Sequence, residues 1–139
     1  MKTAFLDSSV LFSAVNSPIG GSSKLFTIKK IRLVTSPTVL TEVERNVRNK
    51  LQSFHLDRFF MLVSQINLIQ QTPNQKLINQ AKKIIVEKDA VILQEAKQAK
   101  TNFLITLDQK HFLNQKVDKF LKPQKALTPK ELIRKLVLS

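Results

Sequence analysis

The sequence predicts an α/β fold built on a largely parallel sheet. Short apolar runs alternate with amphipathic helical patterns along the whole chain, the alternation that strand–helix–strand crossovers require. Three helix starts carry a hydroxyl residue followed by proline, at Ser36-Pro37, Thr72-Pro73 and Thr128-Pro129. In each, the hydroxyl can cap free backbone donors while proline takes the first helical position, where its missing N–H costs nothing.

The first predicted strand is residues 4–6, Ala4-Phe5-Leu6, followed directly by Asp7 and a short helix. A polar loop holding both glycines, Gly20 and Gly21, leads to a helix carrying Leu25, Phe26 and Ile28. This loop lacks the Gly-x-x-x-x-Gly-Lys-Ser/Thr spacing of a phosphate loop and does not follow a strand. Strand 32–35 runs into the helix that starts at Pro37 and carries Val39, Leu40, Val43, Val47 and Leu51 on its buried side. Strand 67–69 precedes Thr72-Pro73, which with Gln75 predicts a capping box. Asp89 opens a helix with the stripe Ile92, Leu93, Ala96 and Ala99, and the i, i+3, i+4, i+7 spacing puts Asp89 on that same inward face. Strand 103–106 and a shorter strand at 126–127 complete the sheet, and Thr128 with Glu131 predicts a second capping box for the last helix.

The length of 139 residues fits one hydrophobic core, so residues 1–139 are expected to form a single domain. The absence of cysteine excludes disulfide frameworks, thiolate zinc sites, iron–sulfur clusters and cysteine nucleophiles. The N-terminus has no sustained apolar stretch of a secretory signal, and no segment approaches the ~20 apolar residues of a bilayer span. A soluble, cytoplasmic protein without membrane contact is expected. With 23 Lys and Arg against 10 Asp and Glu, the formal charge is +13, which favours a polyanionic partner without separating an enzyme from a binder.

In so basic a chain the position of each acid is informative. Asp7 follows the first strand and Asp108 lies just beyond strand 103–106, so both belong at the carboxyl ends of strands, where ligands bind in open α/β sheets. Asp89 faces inward, and its desolvation is unfavourable unless it is paired, hydrogen-bonded or coordinating a metal. Its simpler reading is a first-turn acid favoured by the helix dipole. Glu42 and Glu44 flank the buried stripe of their helix. A helical wheel places Glu44 somewhat nearer the apolar side, and either glutamate could simply pair with Arg45 or Arg48. Several carboxylates at one sheet edge repel unless a hard divalent cation, Mg²⁺ or Mn²⁺, is held among them. Such an ion can activate water and stabilise a leaving oxygen, which is how metal nucleases cleave phosphodiesters.

These motifs resemble the PIN domain family, small nucleases of three-layer α/β/α fold with a central, mainly parallel sheet, many of them toxins of bacterial toxin–antitoxin pairs of the VapC kind. Phe5-Leu6-Asp7-Ser8-Ser9-Val10-Leu11 is similar to the first family motif, an acid followed two residues later by Ser, Thr or Asn. Residues 34–43 resemble the second, and the resemblance puts its acid on Glu42, against the helical wheel. Asp89-Ala90-Val91-Ile92-Leu93 and residues 103–112 resemble the motifs that supply the third and fourth acids, and Leu127-Thr128-Pro129-Lys130-Glu131-Leu132 is similar to the closing strand and helix. Each motif is short, but four in order over nearly the whole chain form a specific pattern. Two departures stand against it. Lys110 occupies a position where many members have a further acid, and Leu107 one where some have glycine. Glu87, two residues before Asp89, could supply an outer carboxylate in compensation.

The resemblance implies a Mg²⁺- or Mn²⁺-dependent endoribonuclease in which Asp7, Glu42, Asp89 and Asp108 are both the catalytic and the metal-binding residues. Ser9 and Thr106 are expected to support them, by orienting a carboxylate or a water, or else to make ordinary turn bonds. Arg45, Arg48, Lys110 and His111 are candidate RNA-binding residues, and the basic segment from Lys110 to Lys135 is a second place for phosphates to track. His55 reads as a helix-surface residue. There is no Tyr or Trp, so affinity should come from phosphates rather than from stacking. Single-stranded or structured RNA, a cognate antitoxin and a second copy of the chain are the implied partners, and 5′-phosphate and 3′-hydroxyl ends the implied products. The alternatives are a catalytically weak or inactive PIN-fold RNA-binding protein, favoured by Lys110, and an aspartate-nucleophile phosphatase, which would want Asp at the position of Ser9.

Overall fold

The computed structural model describes residues 1–138. Five strands, β1 (Lys2–Leu6), β2 (Ile31–Thr35), β3 (Asn67–Leu68), β4 (Phe103–Ile105) and β5 (Lys125–Leu127), form one sheet in the order β3-β2-β1-β4-β5, with every neighbouring pair parallel. Between and after them run α1 (Ser8–Asn16), α2 (Gly21–Leu25), α3 (Pro37–Lys50), α4 (Ser53–Val63), α5 (Gln75–Lys82), α6 (Glu87–Ala99), α7 (Gln109–Phe112), α8 (Gln115–Leu121) and α9 (Pro129–Leu138).

The alternation of side chains along each strand divides the interior in two. Phe5, Val34 and Leu104 point to one face, where they pack with Leu11, Val39, Val43, Leu93 and Phe112. Ala4, Leu6, Leu33, Phe103 and Ile105 point to the other, against Val10, Leu25, Leu132 and Leu136. Helices therefore cover both faces, giving the three-layer α/β/α arrangement expected. This double burial is why the central strands β1, β2 and β4 read as near-continuous apolar runs rather than as alternating ones, while the edge strand β3 is exposed at both residues.

The topology also fixes where a ligand can bind. From the central strand β1 the chain moves outward through β2 to β3, then returns to the other side of β1 for β4 and β5. The crevice at such a switch point lies at the carboxyl ends of the two strands flanking it. The register Leu6↔Ile105 sets the residues after β1 and β4 side by side, and the Asp7 amide continues the ladder by donating to the Ile105 carbonyl at 3.0 Å.

Two of the three hydroxyl–proline starts form as expected. Ser36 Oγ accepts the Val39 amide at 3.2 Å to cap α3. At α9 the Thr128 hydroxyl accepts the Glu131 amide while Glu131 Oε1 accepts the Thr128 amide, closing the predicted box. The third is a correction. Thr72-Pro73 does not start a helix; Asn74 caps α5 by accepting the Leu77 amide at 3.1 Å. Asn is at least as good a cap as Thr, and the Thr72 carbonyl is taken by Gln98 Nε2 of α6 at 2.9 Å, which holds this segment off the helix. The glycine-loop helix also ends sooner than its apolar spacing suggests. Phe26 is its C-cap and Ile28 lies beyond it, in turns closed by the Ser23 and Leu25 carbonyls. His55 is half-buried and has a specific task, accepting the Gln52 amide through Nδ1 at 3.2 Å at the start of α4.

Candidate functional site

Asp7 follows β1 and Asp108 lies just beyond β4, the two strands that flank the switch point. Asp7 is 4% exposed, and its Oδ2 accepts two hydroxyls, from Ser9 at 2.8 Å and from Thr106 at 2.8 Å. Both hydroxyls also serve the backbone that follows β4. Ser9 Oγ accepts the Leu107 amide and Thr106 Oγ1 accepts the Asp108 amide, each at 3.0 Å. The two readings of Ser9 and Thr106 offered by the sequence, carboxylate orientation and turn hydrogen bonding, are thus satisfied by the same atoms.

Asp89 stands in the first turn of α6, 9% exposed, and its buried Oδ2 has no hydrogen-bond partner. A buried carboxylate oxygen without a donor is unfavourable unless something else neutralises it. Asp108 caps α7. Its Oδ1 accepts the His111 amide at 3.1 Å, and its Oδ2 lies 2.9 Å from His111 Nδ1. Ligand atoms of Asp89, Asp108 and His111 all lie within 4.8 Å of one another.

The electrostatics tie these groups together. Burial pushes the Asp7 carboxyl above its ordinary range, and the charge of Glu42 adds to that; the Thr106, Ser9 and Ser8 hydrogen bonds oppose it. Burial likewise raises Asp89, assisted by the charges of Asp7 and Asp108 and opposed by Lys88 and His111. Charge thus links Glu42 to Asp7, and Asp7 and Asp108 to Asp89, whereas the ligand atoms gathered within 4.8 Å of one another are those of Asp89, Asp108 and His111, without Asp7 or Glu42. The donor set is oxygen-rich, with one imidazole nearby. Together with the orphaned Asp89 oxygen, it fits a hard divalent cation.

The two glutamates of α3 part company. Glu44 Oε2 pairs with Arg48 Nε at 3.0 Å on the exposed side of the helix, while Glu42 is the one whose charge reaches Asp7. Arg45 and Arg48 are both exposed, and Arg48 is occupied by Glu44. Lys110 is exposed on α7, one residue before His111. Glu87, offered by the sequence as an outer carboxylate, pairs with Lys82 at 3.6 Å. The basic run 110–135 does not form one patch. Lys125 opens β5 and pairs in register with Phe103, at the amino edge of the sheet, opposite the acids.

His111, expected from sequence only as an RNA contact, is part of the cluster around Asp89 and Asp108, and the i, i+3 spacing from Asp108 is the signal that points to it. Glu95 was not singled out at all. Its Oε1 accepts Ser36 Oγ at 2.8 Å and its Oε2 accepts Thr38 Oγ1 at 2.9 Å, tying the start of α3, which carries Glu42, to α6, which carries Asp89.

No protein-family model matches the sequence, and no curated protein matches it significantly. Solved structures do match. VapBC2 from Rickettsia felis, crystallised with a DNA fragment from its promoter, is 16% identical with a TM-score of 0.71, covering 91% of this chain and 98% of its own. A protein from Pyrobaculum aerophilum is 15% identical with a TM-score of 0.66, over 99% of this chain and 97% of its own. VapC20 from Mycobacterium tuberculosis, described as a toxin that cleaves the sarcin–ricin loop, is 15% identical with a TM-score of 0.57, over 77% of this chain and 91% of its own. At these identities the likeness establishes the fold, which is the PIN-like fold that the motifs resemble.

Proposed function

We propose that this protein is a Mg²⁺- or Mn²⁺-dependent endoribonuclease acting as a single domain, and the toxin of a toxin–antitoxin pair. The observation that carries this reading is the buried, unpartnered oxygen of Asp89, a residue clustered with Asp108 and His111 and within reach of the Asp7 charge. A divalent cation held by Asp7, Glu42, Asp89 and Asp108 would neutralise a phosphodiester oxygen and lower the pKa of an attacking water. The chain's own contribution is positional. Ser9 and Thr106 hold Asp7 with Oδ2 occupied, so that carboxylate presents a fixed face; His111 orients Asp108 through both its amide and its ring. The +13 charge draws RNA toward an acidic crevice that would otherwise repel it. A fold shared with VapBC complexes and with a toxin that cleaves the sarcin–ricin loop supports RNA as substrate and a cognate antitoxin as partner. Homodimerisation in the cytoplasm is part of the same reading.

The test is cleavage of single-stranded and structured RNA by purified protein with Mg²⁺ or Mn²⁺, with EDTA, and beside the Asp7→Asn and Asp89→Asn variants. We expect metal-dependent products with 5′-phosphate and 3′-hydroxyl ends from wild type only. Equal cleavage by wild type and both variants refutes the assignment.

A second reading, a catalytically weak RNA-binding protein, is favoured by Lys110, which puts a cation beside Asp108 where the family pattern has an acid, and by His111 engaging both Asp108 oxygens. RNA binding in EDTA with no cleavage at any Mg²⁺ or Mn²⁺ concentration selects it. The phosphatase reading is disfavoured by Ser9, whose hydroxyl occupies Asp7 Oδ2.

A further inference from the structure

A groove of about 340 Å³ opens beside the acids. Lys82, Lys83 and Lys110 line it, with Ile84, Ile85 and Val86 as one wall and His111 and Asn114 at its end. His111 lines the groove and also belongs to the cluster with Asp89 and Asp108, so the groove adjoins that cluster through this one side chain. Among the described residues the carboxylates form ion pairs with Arg48, Lys82 and His111, and neither Lys83 nor Lys110 is within ion-pair distance of one. Asn114 ties this end of the groove to the start of α8. Its Nδ2 donates to the His111 carbonyl at 3.0 Å while its Oδ1 caps α8 by accepting the Val117 amide at 3.0 Å.

We propose that this groove is the subsite for the phosphate next to the scissile one on a single strand of RNA, with Lys83 and Lys110 as its anion-binding groups. The inference rests on the nuclease reading above and gives that site a direction for its substrate. The groove is at the small end of ligand-site volumes, roughly 300–1,000 Å³, which suits one nucleotide rather than a duplex. Its lysines supply the charge, and its Ile84–Val86 wall, with Val86 40% exposed, gives a ribose an apolar surface without any aromatic platform. Lys82 is partly neutralised by Glu87, which leaves Lys83 and Lys110 as the principal cations. In this light the lysine that departs from the family pattern is a substrate contact. An acidic peptide would find the same lysines but would then run into Asp89 and Asp108, with no phosphodiester to present to them.

The experiment compares Lys83→Ala/Lys110→Ala with Lys29→Ala/Lys30→Ala, a pair of exposed lysines just before β2 at the opposite sheet edge. Both doubles remove the same charge. Binding of a short fluorescein-labelled oligoribonucleotide is measured by anisotropy in EDTA over a salt series, with a poly-glutamate peptide as competitor, and cleavage is measured separately with Mn²⁺. The groove double should lose about tenfold or more in affinity, and its salt slope should fall by about 1.4, as two lost contacts at ~0.7 each on a single strand require. The control double should change far less, and KM rather than kcat should carry the loss in cleavage. Equal losses in the two doubles overturn the proposal, as does a groove double that loses peptide binding but keeps RNA binding. Wild-type protein that binds RNA through the groove yet cleaves with neither metal overturns the nuclease reading and leaves the groove standing.

Discussion

Thr106 Oγ1 donates to Asp7 Oδ2 at 2.8 Å across 99 residues of sequence, and Thr106 Oγ1 itself accepts the Asp108 amide at 3.0 Å. One fully buried hydroxyl thus orients the acid at the end of β1 and sets the backbone that leads from β4 to the next acid.

Removing that hydroxyl should be felt in both stability and turnover. Thr106→Val leaves the Asp108 amide and a buried carboxylate each short of one partner, at a cost of about 1–3 kcal/mol. A lower urea midpoint and reduced cleavage are expected, with Thr106→Ser restoring most of both. A Thr106→Val protein as stable and active as wild type would contradict the role given to this residue.

The pH dependence follows from the burial of Asp7. Its carboxyl titrates above the ordinary 3.8 in the folded protein, so the folded state binds this proton more tightly than the unfolded chain. The resulting stabilisation is complete below 3.8 and is lost as pH rises through the raised value, so at neutral pH without metal the ionised group is a burden. Asp7→Asn should therefore melt several degrees above metal-free wild type at neutral pH, the gap narrowing as pH falls toward the ordinary carboxylate range. Asp89, raised for the same first reason, should behave alike. Calorimetry from neutral to acid pH checks the sign, and a gap that widens on acidification contradicts it.

Metal should reverse that burden. Mg²⁺ or Mn²⁺ at a hundredfold over its dissociation constant stabilises the folded state by about 2.7 kcal/mol through mass action. Wild-type melting temperature should rise with either ion and fall back on EDTA, while Asp89→Asn should lose most of the rise. Thermal shift across an ion series reads this directly, and identical responses from wild type and Asp89→Asn would remove the metal site.

Glu95 offers a test away from the acids themselves. Glu95→Ala releases Ser36 and Thr38 from α6 and should cost about 1–2 kcal/mol in urea unfolding. Because the same link sets α3 against α6, metal affinity should fall as well, whereas Glu95→Gln, which keeps an acceptor for one hydroxyl, should be intermediate. Stability lost with metal affinity unchanged would make the link purely structural.

Much of this was legible in the chain. β1, β2 and β5 fall where apolar runs end in an acid or a hydroxyl–proline pair, and the central strands are near-continuous hydrophobic segments because helices cover both faces of the sheet. Asp89 was legible as inward-facing because it shares a helical stripe with Ile92, Leu93 and Ala96, all buried. Thr72-Pro73 misled because a local cap signal cannot report that Gln98, on a later helix, claims the Thr72 carbonyl. Glu42 and Glu44 could not be separated by periodicity, since both flank the stripe and both are half-buried. What distinguishes them is the Arg48 partner of Glu44 and the nearness of Glu42 to Asp7.

The sequence by itself determined the strands, the caps of α3 and α9, the two apolar faces and the positive charge, all properties carried by residues within a turn or two of one another. Only the tertiary structure decided which distant groups meet: Asp7 with Thr106, Glu95 with Ser36, and His111 with both Asp89 and a lysine-lined groove. Those meetings depend on strand order and register, and these are set by the joint packing of two cores rather than by any local preference.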